Sequence, residues 1–199
     1  MTIILRLHEA ETTERSSLMK TRIFRRMPNG STVRTVGSPL GPLYVVASGS
    51  GLHAILWQCD LEKPETAATL ALLPRADVCA ITDETERQLA EYFSGERQRF
   101  DLPLAPTGTP FQQAAWRALL DIPYGETSSY EAHAVRLGGR EKTRAVGTAN
   151  GMNPISVVVP CHRLLGKDGA LTGFGGGLEA KRWLLEHEGA SYPALPRRL

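Results

Sequence analysis

The sequence is poor in cysteine. Three are present in 199 residues, Cys59, Cys79 and Cys161, and no two form a CxxC pair. That excludes a disulfide framework and a Cys-rich zinc site, both of which need paired, closely spaced thiols. Nor is there an apolar run approaching the ~20 residues of a membrane-spanning helix. The N-terminus has no secretory apolar core followed by small residues. The expectation is an intracellular, cytoplasmic protein without membrane contact. Charge of either sign is not in excess, with 23 Lys and Arg against 21 Asp and Glu. What remains is an ordinary globular composition, long enough for one large domain or two small ones around a real core.

Although the total charge is small, its distribution is uneven. Residues 31–106 carry six Lys/Arg against ten Asp/Glu, whereas residues 107–199 carry eleven against eight. From Arg136 to Lys167 there are six basic residues and one acid, Glu141. A locally basic face suits a polyanionic partner, and a solvated surface reads the same way.

Residues 1–30 are polar and basic without a sustained period and read as an extension, partly helical, outside the core. Strand patterns follow at Val33–Val36, Leu43–Ala47 and Leu52–Gln58, the last two joined as a hairpin through Gly49-Ser50-Gly51. Helical patterns cover Pro64–Leu73 and Thr82–Phe93, the second closed by Ser94-Gly95. A short strand is expected at Arg99–Leu102, and Pro103–Gly108 reads as a linker between an α/β subdomain (31–106) and a mostly helical one (107–199). Thr109-Pro110-Phe111-Gln112 has the N-cap, the N1 proline and the glutamine of a capping box. That helix should run to Leu120. Ser128–Glu131 reads as a second capping box, opening a helix to Leu137, and Gly138-Gly139 separates it from a third over Glu141–Ala149. Two short helices joined by a glycine turn form a helix-turn-helix pattern, common in DNA-binding proteins and in plain helical folds alike.

The chemistry is concentrated in PCHRLLG, residues 160–166, which follows the strand-like run Ile155–Val159. Cys59 and Cys79 read as small buried hydrophobes. Cys161 differs, because His162 and Arg163 follow it, and nearby positive charge raises the thiolate fraction that makes cysteine a nucleophile. Adjacent strand residues face opposite ways, so a Cys161–His162 link requires a turn or a bridging water. Further on, Lys181, Leu184, Leu185 and Glu188 recur at i, i+3, i+4 and i+7 on one helix face. Either the two charges face solvent, or the face packs on the PCHR turn and Glu188 orients His162 in a Cys–His–Glu relay. The glycine-dense segment Gly169–Gly177 between them is either a connector or a loop that lets a ligand approach closely.

The segment RAVGTANGMNPISVVVPCHRLLGKDGALTGFGGGLEAKRWLLEHEG, residues 144–189, closely resembles the signature region of the O6-alkylguanine-DNA alkyltransferases, the methylated-DNA–protein-cysteine methyltransferases. The resemblance extends back to Thr109 and, more loosely, through residues 38–55. It implies an α/β N-terminal subdomain with a small, mostly antiparallel sheet, followed by a mostly helical subdomain carrying the helix-turn-helix. It implies DNA repair: Cys161 attacks the alkyl carbon on O6 of guanine, and on O4 of thymine, and keeps the alkyl group in a single, irreversible turnover. His162 and Glu188 would generate the thiolate through a water, Tyr130 and Lys181 would serve N3 and O6 of the base, and Asn153 would brace the thiol turn. The target base must leave the stack. By the same resemblance Arg144 fills the gap, while Ala145, Gly147 and Thr148 bring their helix close to the backbone in the minor groove, and Arg163 is placed among the DNA contacts. The implied partner is double-stranded DNA containing O6-alkylguanine, met by a monomer. No cofactor or metal is implied, because the lesion is its own alkyl donor. Two other classes stay in competition: a lesion-binding module without chemistry, in which the nucleophilic cysteine is replaced, and a cysteine hydrolase.

Overall fold

The computed structural model describes residues 27–75 and 79–192. Most of the extension expected over residues 1–30 lies outside them.

Three antiparallel strands form a meander, β1 (Thr32–Val36), β2 (Leu43–Ser48) and β3 (Gly51–Trp57), with β2 in the middle. The hairpin expected at Gly49-Ser50-Gly51 is present, closing on the pair Ser48 and Gly51. Because side chains alternate across a strand, Leu43, Val45, Leu52 and Ile55 enter the main core, while Val46, Ala54 and Leu56 face the other way and pack on Leu70. Both faces are therefore covered. This is why β3 reads as a nearly unbroken apolar run rather than an alternating one, each of its residues being buried.

Leu70 belongs to α1 (Pro64–Ala71), and α2 (Ala80–Phe93) lies against the opposite face, sending Leu89 and Tyr92 into the main core. The strand expected at Arg99–Leu102 does not form. Its backbone is satisfied by a side chain instead: Gln88 Nε2 donates to Asp101 O and its Oε1 accepts from Asp101 N, both at 2.8 Å. An amide that meets both backbone groups removes the need for a neighbouring strand. Pairing with β3 begins later, at Leu104 beside Leu52. The segment from Pro103 to Gly108, expected as a linker, is thus docked. Gly51 permits the approach, since a Cβ there would sit 2.4 Å from Pro103 O and its φ is +137°.

Helix α3 (Pro110–Leu119) starts on the expected capping box, Thr109 Oγ1 accepting from Gln112 N and Gln112 Oε1 from Thr109 N. The second cap is shifted by one residue. Ser129, not Ser128, caps α4 (Tyr130–Arg136), accepting from Ala132 N at 3.0 Å. Ser128 and Ser129 are taken up as β4, which pairs in parallel with β5 (Leu164–Leu165) directly after the PCHR turn. Gly138-Gly139 ends α4, and after one 3-10 turn α5 (Thr143–Gly151) follows, packed on α3 and α4. The last helix, α6 (Gly177–His187), buries Ala180, Lys181, Leu184 and Leu185. No helix among the described residues is long and apolar enough to cross a membrane.

Candidate active site

Ile155–Val159 is not a strand. The chain makes a buried, compact turn in which Val159 N bonds Ile155 O at 2.9 Å and Val158 N bonds Ser156 O at 2.9 Å. At its centre Val157 has φ +71°, a left-handed conformation that costs a β-branched residue about 1–2 kcal/mol. Asn153 holds the turn shut from inside. Its Nδ2 donates to Val159 O at 2.8 Å and its Oδ1 accepts from Ile155 N at 3.1 Å, with the side chain 2% exposed. The outer edge of β3 supports the same turn, Ile55 N donating to Pro154 O at 2.9 Å. Valine's preference for extended backbone is overridden by these contacts. Asn153→Ala would leave the buried Ile155 N–H without its acceptor and take one of two donors from Val159 O, which keeps Cys161 N at 2.8 Å. A loss of about 1–3 kcal/mol in denaturant unfolding is therefore expected.

The turn delivers Cys161, His162 and Arg163 as one turn of 3-10 helix, all three buried. Asn150, at the end of α5, joins this turn to the helices: its Nδ2 lies 3.5 Å from Cys161 O and 3.2 Å from the Tyr130 hydroxyl.

Glu188, at the C-cap of α6, is the hub. His162 Nε2 is 2.8 Å from Glu188 Oε1. Arg163 donates from Nε to Oε2 at 2.8 Å and from Nη2 to Oε1 at 3.0 Å. Tyr92 Oη donates to Oε1 at 2.7 Å, and Gly125 N to Oε2 at 3.3 Å. Against the penalty of burial, His162 and Arg163 hold this carboxyl well below the usual carboxylate range. It is therefore ionised and can only accept, which fixes the proton of His162 on Nε2 and leaves a lone pair on Nδ1. Burial, opposed by Glu188, pushes the His162 pKa down, so the ring is a neutral imidazole at neutral pH. Nδ1 is buried and has no hydrogen-bond partner among the described residues. It is an unspent base next in sequence to a thiol.

Arg163 is 6% exposed, with its guanidinium turned inward onto Glu188 and the Ile122 carbonyl. The place among DNA contacts expected for it is corrected: it braces the carboxylate, because a buried anion demands a partner.

Lys181 is fully buried, with Nζ donating to Leu164 O at 2.5 Å and Thr172 O at 2.8 Å. Burial pushes its pKa down to about 8, the nearby Cys161 working in the opposite sense. Its ammonium stands 5.9 Å from the centre of the Tyr130 ring. Burial, followed by the nearby Cys161, raises the pKa of the Tyr130 phenol, which stays neutral. The glycine-dense loop is fitted against this group rather than slack. A Cβ on Gly176 would meet the Trp57 ring at 2.6 Å, Cys59 Sγ donates to Gly175 O at 3.3 Å, and Phe174 stands edge-on to both Trp57 and His162.

The sequence-predicted DNA contacts on α5 form a separate, outward face. Arg144, Ala145 and Thr148 are exposed and Gly147 is half-buried. An open depression of about 540 Å³ runs beside them, lined among others by Thr109, Phe111, Gln112, Arg144, Thr148 and Met152. Cys161, His162, Glu188, Tyr130, Lys181 and Asn153 are gathered behind α5, with Asn150 as the connection. Sequence reasoning missed Asn150, Gly125 and Tyr92, whose contacts with the site cross between elements and leave no local pattern.

Residues 33–106 match the model of the 6-O-methylguanine DNA methyltransferase ribonuclease-like domain, and residues 110–190 that of the family's DNA binding domain. A methylated-DNA–protein-cysteine methyltransferase of Haemophilus influenzae is 45% identical over 156 residues, covering 78% of this chain and 84% of its own. A protein of the same description from Mycobacterium bovis is 46% identical over 161 residues, covering 81% and 94%. Among solved structures, the Mycobacterium tuberculosis O6-methylguanine methyltransferase superposes with a TM-score of 0.70 at 44% identity, over 82% of this chain and 96% of that one. Mycobacterium tuberculosis OGT in complex with DNA does so with 0.64 at 41%, over 79% and 92%. With both family models matched in order along most of its length, the chain belongs to the 6-O-methylguanine DNA methyltransferase family.

Proposed function

We propose that this protein repairs DNA by direct reversal, transferring the alkyl group from O6 of guanine to Cys161. The observation that carries the reading is the buried pairing of His162 Nε2 with an ionised Glu188, which leaves Nδ1 as a base on the residue next in sequence to the thiol. A water between them passes the Cys161 proton to Nδ1. The sulfur then forms a bond to the alkyl carbon as the C–O6 bond breaks, and the electron pair departs with guanine. Lys181 and the Tyr130 hydroxyl meet that developing charge with hydrogen bonds, both keeping their protons, and the released guanine anion takes its proton from solvent. Two of the three Lys181 donors are held by carbonyls, so the ammonium is oriented before the reaction begins. The thioether has no leaving group comparable to guanine, hence one turnover per protein. No cofactor enters the balance.

The partner in this reading is duplex DNA entered from the minor groove by a monomer, with the lesion flipped out. Residues 107–199 form the DNA-binding and acceptor part, 31–106 the α/β support and 1–30 an extension. Small residues on α5 let it sit near the backbone, and the degenerate minor groove suits a protein that reads damage rather than sequence.

Incubation with duplex carrying one methyl-labelled O6-methylguanine, followed by mass mapping, tests the reading. Label on the Cys161 peptide supports it; label in solvent indicates a hydrolase, and unreacted, bound DNA a lesion-binding module. Arg144 gives a sharper check. If its side chain occupies the gap left by the base, Arg144→Ala loses part of what offsets an unstacking cost of a few kcal/mol. Transfer from duplex should then fall at least tenfold, a change worth about 1.4 kcal/mol, while transfer from the free base O6-benzylguanine barely changes. Arg140→Ala is the control, since Arg140 is exposed and paired with Glu131 at 2.9 Å. Equal losses from both variants would reduce Arg144 to one more phosphate contact.

A further inference from the structure

The carboxylate that orients His162 is also held from the other half of the chain. Tyr92, in the last turn of α2, is fully buried and donates to Glu188 Oε1 at 2.7 Å. We propose that Tyr92 is a positioning residue for alkyl transfer, its hydroxyl setting how much of the Glu188 charge reaches His162. The inference rests on the reading of His162 as proton acceptor.

Oε1 receives three donors, from His162, Arg163 and Tyr92. Each draws on the same negative charge, so a donor added to that oxygen weakens the other two. Arg163 is a permanent cation, and it also serves Oε2. Tyr92 is a neutral donor, its own ionisation pushed far up by burial and by Glu188. It can only donate here, because an ionised carboxylate has no proton to give.

Its placement is rigid. The ring is enclosed by Phe93, Phe100, Tyr124 and His187, with centroids 5.2 to 6.1 Å away. His187 Nε2, on α6, meets the Tyr92 carbonyl at 2.7 Å and ties the two helices together one residue before Glu188. The other charged or titratable groups facing the His162–Glu188 pair are Arg163 and Cys161 from the PCHR turn, Lys181 from α6 and Tyr124 from the loop after α3. Of these, Arg163 donates to both Glu188 oxygens, whereas Lys181 spends its donors on Leu164 O and Thr172 O and Tyr124 donates to His187 O. Tyr92 is therefore the adjustable member.

Removing its hydroxyl concentrates the carboxylate charge on the His162 N–H, makes Nδ1 more basic and populates the Cys161 thiolate at lower pH. The experiment is single-turnover transfer from methylated duplex across pH, with ¹⁵N NMR titration of the His162 ring in DNA-free protein. Tyr92→Phe should move the midpoint down by about one pH unit, the worth of one hydrogen bond to a charged group, and raise the His162 titration in parallel. Phe100→Leu, which loosens the ring's packing and keeps the hydroxyl, should move neither. Incorporation of 3-fluorotyrosine at position 92, a stronger donor of nearly the same shape, should move both the other way and covers the case in which Tyr92→Phe does not fold. An unmoved or raised midpoint in folded Tyr92→Phe, or an equal shift in Phe100→Leu, would overturn the proposal. Failure of the wild type to take up methyl would count against the proposed function instead, and the NMR titration, needing no DNA, would still decide the role of Tyr92.

Discussion

Cys161→Ala is expected to abolish methyl transfer completely while leaving affinity for methylated duplex nearly unchanged. The thiol is 4% exposed and sits behind α5, not on its outward face, so it adds chemistry and almost no contact area. The turn that carries it is held by backbone bonds, by Asn153 and by the pairing of Ile155 with β3, none of which uses the sulfur. Alanine should therefore keep the fold, and gel-shift affinity should stay within a few-fold while labelled transfer drops to background. Cys59 and Cys79 are the internal controls. Label arriving on either of them in the variant would remove Cys161 from its role.

The second large effect separates two residues of the relay. His162→Ala and Glu188→Ala should both move the pH dependence of transfer upward, toward the ionisation of an unassisted thiol near pH ~8.5. They should differ in stability. His162 is a neutral ring, and its loss strands no charge. Glu188→Ala leaves the guanidinium of Arg163 buried and uncompensated, a loss of about 3–5 kcal/mol. Denaturant unfolding at neutral pH distinguishes the two. Because the Glu188 carboxyl is depressed in the folded protein, its contribution is fully present above its unfolded value of about 4.3 and drains away as pH falls toward the folded one. The stability gap between wild type and Glu188→Ala should accordingly shrink in acid. A gap that widened there, or equal stability of the two variants at pH 7, would contradict the hub role of this carboxylate.

Much of the site was legible because its residues are either contiguous or spaced by a helical turn. Cys161, His162 and Arg163 adjoin, and Lys181, Leu184, Leu185 and Glu188 repeat along one face of α6, which the structure buries. The hairpin and the Thr109 cap were legible for the same reason, since their signals lie within a few residues. What the sequence did not disclose is direction. Arg163 carries a charge that suits phosphate as well as carboxylate, and only packing shows that its long side chain turns inward. Three valines in a row signal a strand by intrinsic preference, yet Asn153 and the edge of β3 impose a turn with Val157 in left-handed backbone. The cap at Ser129 moved by one residue because Ser128 and Ser129 pair with Leu164 and Leu165, a partnership between distant segments. Tyr92 had no signal beyond apolar periodicity, which places it in a core but does not name the carboxylate it meets.

The docked segment after Asp101 bears on how the protein could be dismantled. Pro103 and Ala105 hydrogen-bond Leu52 on both sides, at 2.7 and 2.8 Å, and His53 Nδ1 donates to Ala105 O at 2.9 Å. A protease needs an extended, accessible stretch, and this one is already occupied as a strand edge would be. Residues after Gly108 are thus tied to the sheet: parting them from β3 would take away the Ile55 N–H that supports Pro154 and, with it, the seat of the thiol turn. A shortened version for labelling or sensing would have to be trimmed from the ends of the chain, never at its middle.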